Sequence, residues 1–118
     1  MLTLGALLGF VGVAAGAFGA HALRARLSPE LLAIFETGAR YEMYHALAIV
    51  LAALGGARSP SPLWSWAGGL FAAGVVLFSG SLYALALSGT RWLGAVTPVG
   101  GLCLLAGWIF LAIAGARL

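Results

Sequence analysis

Apolar stretches interrupted by short proline- and glycine-bearing breaks divide the chain into four. The first runs from Leu2 to Leu23, with glycine at Gly5, Gly9, Gly12, Gly16 and Gly19, spaced four, three, four and three residues apart. A mean period of about 3.5 residues keeps these glycines on one seam of a helix, where a neighbouring helix can approach closely. Ser28-Pro29-Glu30 then reads as the N-cap, first helical residue and acidic first turn of a second helix. Gly55-Gly56 and the Arg58-Ser59-Pro60-Ser61-Pro62 turn close it. Ser61-Pro62 repeats the start signal for a third helix, Ser88-Gly89-Thr90-Arg91 breaks that helix, and Thr97-Pro98 caps a fourth. The pattern predicts an all-α chain forming one domain over residues 1–118, with helices over about 2–23, 29–56, 62–87 and 97–116.

Composition decides where such helices reside. Of 118 residues, 63% are hydrophobic and 8% charged, and the mean hydropathy is +1.08. A soluble domain carries about 25% charged residues, so this chain lacks the polar residues for a water-facing shell. About 20 apolar residues cross the hydrocarbon of a bilayer. The prediction is an integral membrane bundle of four transmembrane helices. The first run is not read as a cleaved leader: Ala20-His21-Ala22 resembles a cleavage site, but the basic n-region is missing and Arg24 and Arg26 follow the run.

All six basic residues are arginine and all three acids glutamate, and the net charge is +3. A charge this small and scattered points away from nucleic acid, which needs a basic stripe or patch, and fits attraction to membrane lipid head groups. Arg24, Arg26, Arg40 and Arg91 share one end of the expected bundle, against Arg58 and Arg117 at the other. The positive-inside rule therefore puts both termini outside the cytoplasmic membrane. Trp64, Trp66 and Trp92 suit an interfacial aromatic belt, and Cys103, being alone, forms no internal disulfide.

Alternating helix direction gathers the polar residues at the cytoplasmic end. The candidate ligand-binding set is His45, Glu42, Arg40, Tyr41 and Tyr44 on helix two, His21 at the end of helix one, and Ser79, Ser81 and Tyr83 on helix three. Glu42 and His45 are three residues apart, within reach of a shared hydrogen bond, and polar side chains at this depth should face the bundle interior. A dull alternative accompanies each. Glu36 and Arg40, four apart, read as a surface pair; the arginines read as head-group anchors; Tyr41 and Tyr44 read as belt aromatics; His21 lies nearly opposite the glycine seam. The chain has no close-spaced metal-ligand pair, no Gly-x-Ser-x-Gly elbow, no aspartate and no phosphate loop before Gly68-Gly69 or Gly100-Gly101. No metal, cofactor or catalytic residue is expected.

Four ordered motifs carry a resemblance spanning nearly the whole chain. These are Gly16-Ala17-Phe18-Gly19-Ala20-His21, the stretch from Phe35-Glu36-Thr37-Gly38 through Tyr44-His45-Ala46, Phe78-Ser79-Gly80-Ser81-Leu82-Tyr83, and Thr97-Pro98-Val99-Gly100-Gly101. Together they resemble the family known as domain of unknown function 423, the YgdD-like and transmembrane protein 256-like small membrane proteins. The resemblance implies a four-helix membrane protein, resident in bacteria in the cytoplasmic membrane, and brings no activity or catalytic residue.

Three functions compete. A non-enzymatic assembly or accessory component, meeting itself or a membrane-protein partner through glycine and alanine seams, ranks first. A small-ligand or proton-coupled transport protein with a polar cytoplasmic pocket ranks second. An enzyme acting on lipid head groups, with His45 as general base, ranks third, because it needs a nucleophile or metal that the chain does not offer.

Overall fold

The computed structural model describes residues 1–118 and is entirely helical. Helix α1 spans Leu2–His21 and runs into a short 3-10 turn, Leu23–Ala25. Helix α2 spans Pro29–Arg58, α3 spans Pro62–Ser88, and α4 spans Thr97–Gly115 after a second 3-10 turn at Arg91–Ala95. Two starts use the expected chemistry: Ser28 Oγ accepts from the Leu31 N–H at 3.2 Å and Ser61 Oγ from the Leu63 N–H at 3.3 Å, each followed by proline. Gly89, with φ of 71°, takes the left-handed turn that ends α3.

Two boundary signals work differently from expectation. Gly55-Gly56 does not stop α2, which continues to Arg58. Gly55 instead leaves room for the Trp64 ring, which a Cβ there would meet at 2.5 Å. Trp64 is thereby buried, and its indole N–H donates to the Ser59 carbonyl at 2.9 Å, closing the α2–α3 turn. It is not a belt residue, whereas Trp66 and Trp92 are exposed. Thr97 makes no cap either, because its hydroxyl meets Ser81 Oγ at 2.6 Å across the α3–α4 contact.

The helices pack in chain order. α1 lies on α2, α2 on α3 and α3 on α4, while α2 and α4 meet only marginally, so the bundle stays open along that edge. α2, at 30 residues about 45 Å long, runs nearly the full 47 Å of the molecule. Ala48, Ile49 and Ala52 of α2 meet Ala67, Phe71 and Val75 of α3 and Leu104 of α4 in the main core. A smaller cluster of Leu23, Phe35 and Ala86 ties the polar end together. Glycine sets the spacing: a Cβ at Gly100 would lie 2.3 Å from the Phe78 backbone nitrogen, and one at Gly5 2.9 Å from the Ala46 carbonyl oxygen. Such contacts allow helices without large side chains between them to gain van der Waals packing.

Only 26 of 118 residues are buried, and Phe10, Leu102 and Leu105 are among many large apolar side chains on the surface. A surface this apolar belongs against lipid or another apolar chain. α1 with its 3-10 turn (Leu2–Ala25), α3 (Pro62–Ser88) and α4 with its preceding turn (Arg91–Gly115) are long and apolar enough to cross a membrane. α2 is not among these three. It carries Glu30, Glu36, Arg40 and Glu42 in its first half, and flanked by α1 and α3 it can be less apolar than an outer helix.

Candidate functional site

The side chains singled out in the sequence do not converge on one pocket. They separate on the two flanks of the α2–α3 contact. On the α1 side, Tyr83 Oη donates to Glu42 Oε2 at 2.5 Å, and Ser79 Oγ donates to the Gly38 carbonyl at 2.7 Å. Glu42 is only 3% exposed. Gly12 of α1 faces it, and a Cβ there would make ordinary contact with Glu42 Cγ at 3.6 Å. Gly38 lets Tyr83 close in, a Cβ there lying 2.9 Å from the ring. Tyr83 also packs on Phe35, with ring centroids 4.8 Å apart.

On the α4 side stands His45, 5% exposed. Its Nδ1 lies 2.7 Å from the Tyr41 carbonyl oxygen, and the Trp108 indole N–H points at its Nε2 from 3.1 Å. A carbonyl only accepts and an indole N–H only donates, so Nδ1 carries the proton and Nε2 accepts. Both ring nitrogens are occupied, which leaves neither for a ligand or metal. His45 and Phe71 pack at a centroid distance of 5.5 Å and Phe71 and Trp108 at 5.2 Å, forming an aromatic cluster where α2, α3 and α4 meet.

The hydrogen bond expected between Glu42 and His45 is absent, for a reason of helix geometry. Side chains on a helix lean toward its N-terminus. His45 leans back to the carbonyl of Tyr41, one turn earlier, and Glu42 leans away from His45 toward Tyr83. The remaining members scatter. Arg40 is exposed in a shallow groove with Gly12, Gly16 and Glu36 on the α1 side. His21 is exposed at the end of α1 and lines neither polar flank. Ser81 donates to the Phe78 carbonyl at 2.9 Å, so the Thr97 hydroxyl is the donor in their pair. Tyr41 and Tyr44 are exposed and pack edge to face, 5.7 Å between centroids.

Two hollows accompany the two flanks. An open groove of about 730 Å³ runs between α2 and α4, lined by Tyr41, Tyr44, His45, Leu47, Leu51, Phe78, Leu102, Leu105 and Trp108 among others, and it is almost wholly apolar. The other, of about 230 Å³, lies on the α1–α3 side and is lined by Leu8, Glu42, Val75, Val76, Ser79, Gly80 and Tyr83. No group of three His, Cys, Asp or Glu side chains is placed to hold a metal ion. Trp108 is the participant that sequence reading missed. Its signal was present, because an indole N–H within an apolar helix needs an acceptor, and His45 is one of few groups able to supply it.

Comparison with known proteins places this arrangement in a family. Residues 15–101 match the family described as a protein of unknown function, DUF423. A UPF0382 membrane protein of Staphylococcus haemolyticus is 47% identical over 95% of this chain and 91% of its own length. The UPF0382 inner membrane protein YgdD of Escherichia coli K12 is 44% identical over 100% of this chain and 90% of its own. No solved structure matches. The matched stretch takes in Glu42, His45, Ser79 and Tyr83, and with the full-length similarity to these membrane proteins it shows that the chain belongs to the DUF423 family.

Proposed function

We propose that the chain crosses a bacterial cytoplasmic membrane four times, both termini outside, and acts as a non-enzymatic component that assembles with a second copy of itself. Glycines that the fold does not use carry this reading. Gly5, Gly38, Gly74, Gly100 and Gly107 each sit where a Cβ would collide with a neighbouring helix, but at Gly69 and Gly80 of α3 nothing lies within 4 Å. Glycine inside a helix costs about 1 kcal/mol relative to alanine, and internal packing does not require it at these two positions.

Gly69, Ala73, Gly80 and Ala84 share one outer stripe of α3, spaced four, seven and four residues apart. A two-fold dimer joins the same face of each copy, and small residues at this spacing let two membrane helices approach closely. The division of the polar residues supports the non-enzymatic part: Ser79 and Tyr83 bond α2 on one flank, Ser81 pairs with Thr97 and Trp108 with His45 elsewhere, so no one cavity gathers them all. The name of the Escherichia coli relative, an inner membrane protein, supports the location. As for α2, Leu47, Leu51 and Leu54 on its exposed side suit lipid contact, and in its middle Glu42 and His45 lie inward.

Light scattering in mild detergent tests the assembly. The wild-type chain is expected to dimerise with a concentration-dependent mass, and Gly69→Leu, which meets open space, to be monomeric with an unchanged melting temperature. A wild-type chain monomeric at every concentration defeats the reading. Cysteine accessibility on either side of α2 tests the fourth crossing.

A further inference from the structure

We propose that Glu42 is an exchangeable proton-binding site, reached sideways from the bilayer through the hollow between α1 and α3, with Tyr83 as its positioning residue. The inference rests on α2 crossing the membrane, and not on self-association. Three observations meet at this carboxyl group.

The first is charge. A buried ionised carboxylate needs a cation or a dense set of donors, and Glu42 has neither. α1 carries no titratable side chain before His21, and it presents Gly12 and Leu8 at this site. α3 contributes a single titratable group, Tyr83. On α2 itself Arg40 is exposed and His45 is committed to Tyr41 and Trp108. α4 packs on the other flank.

The second is access. Every side-chain nitrogen or oxygen sealed inside the protein has a hydrogen-bond partner. Glu42 Oε2 takes the Tyr83 hydroxyl, and Oε1 accepts no hydrogen bond from the protein. Oε1 is therefore not sealed, and Glu42 lines the hollow of about 230 Å³.

The third is the character of that hollow. Leu8, Val75, Val76 and Gly80 form most of its wall, so it admits a small apolar molecule from lipid more readily than a hydrated ion. Tyr83 holds the carboxyl group on one oxygen and leaves the other to gain and lose the proton.

The test is covalent labelling in lipid vesicles with dicyclohexylcarbodiimide, a membrane-soluble reagent that attacks protonated carboxyl groups, read by peptide mass mapping across a pH series. Glu42 is expected to be labelled, with yield falling as pH rises, while the exposed Glu30 and Glu36 are not. Glu42→Gln, which can still accept the Tyr83 bond, should abolish the adduct without unfolding the chain. Tyr83→Phe removes the one hydrogen bond the protein gives this carboxyl group, so the pH profile of labelling should move. A purely structural tyrosine would leave the profile in place.

Absence of the adduct at every pH, or a yield indifferent to pH, overturns the proposal. So does protection by sodium at constant pH, which would make the site one for a monovalent cation. Equal labelling by a water-soluble carbodiimide would instead show Glu42 in contact with water, and would overturn the crossing of α2 on which the inference rests. Gly80 lies both on the proposed dimer stripe and in the wall of the hollow, so a dimer would narrow the entrance: Gly69→Leu, remote from the hollow, must be labelled at least as strongly as wild type.

Discussion

The two flanks of the α2–α3 contact differ sharply, although Glu42 and His45 are only three residues apart. Toward α1 the flank is packed, apart from the small hollow between α1 and α3. Gly5 and Gly19 bring α1 against α2, and Tyr83 and Ser79 bond across to Glu42 and the Gly38 carbonyl. Toward α4 it is open: the Trp108 ring stands against His45, α2 and α4 barely meet, and an apolar groove remains between them. Whether two helices touch is set by the residues facing each other across the gap. Glycine opposite alanine and valine closes it. Tryptophan and leucine opposite tyrosine and leucine hold it apart, leaving lipid or another apolar chain to fill the space.

Substitutions sharpen this contrast. Gly5→Leu should have the largest effect, about 3 kcal/mol, because even its Cβ would press on Val50 and the Ala46 carbonyl. Thermal unfolding in detergent should show α1 loosened first, as faster hydrogen exchange over its length. Glu42→Ala follows at about 2 kcal/mol, since it strands the part-buried Tyr83 hydroxyl. Adding Tyr83→Phe should recover part of that loss, and a double-mutant cycle reads the coupling directly.

On the open flank the effects shrink. Trp108→Phe keeps most of the ring packing and removes only the N–H that His45 accepts, for about 1 kcal/mol. Leu102→Ala, on the groove wall and well exposed, should stay within about 0.5 kcal/mol. A loss at Leu102 as large as that at Gly5 would show that the groove is filled and part of the folded core.

Much of the architecture was legible from local pattern. Serine before proline marked the starts of α2 and α3 because a cap and a proline act within one turn. Gly89 marked the end of α3 because a positive φ is a property of one residue. The glycine seam of α1 was visible as a period. The site was less legible, because the residues that share an end of the bundle need not share a pocket. His21, Arg40 and Ser81 belong to the polar end by count, and three separate surroundings claim them.

The sequence by itself determined that this is a lipid-facing chain of four helices, where they begin, and that its polar residues collect at one end. Those properties follow from composition and from interactions within a turn or two of the chain. The tertiary structure alone decided that Glu42 pairs with Tyr83 and His45 with Trp108, that Thr97 ties α3 to α4 instead of capping, and that Gly55 seats Trp64 instead of ending α2. Each of these joins residues on different helices or across a turn. Which partner a side chain meets there depends on how closely the helices approach and how each is rotated, which no single helix encodes alone.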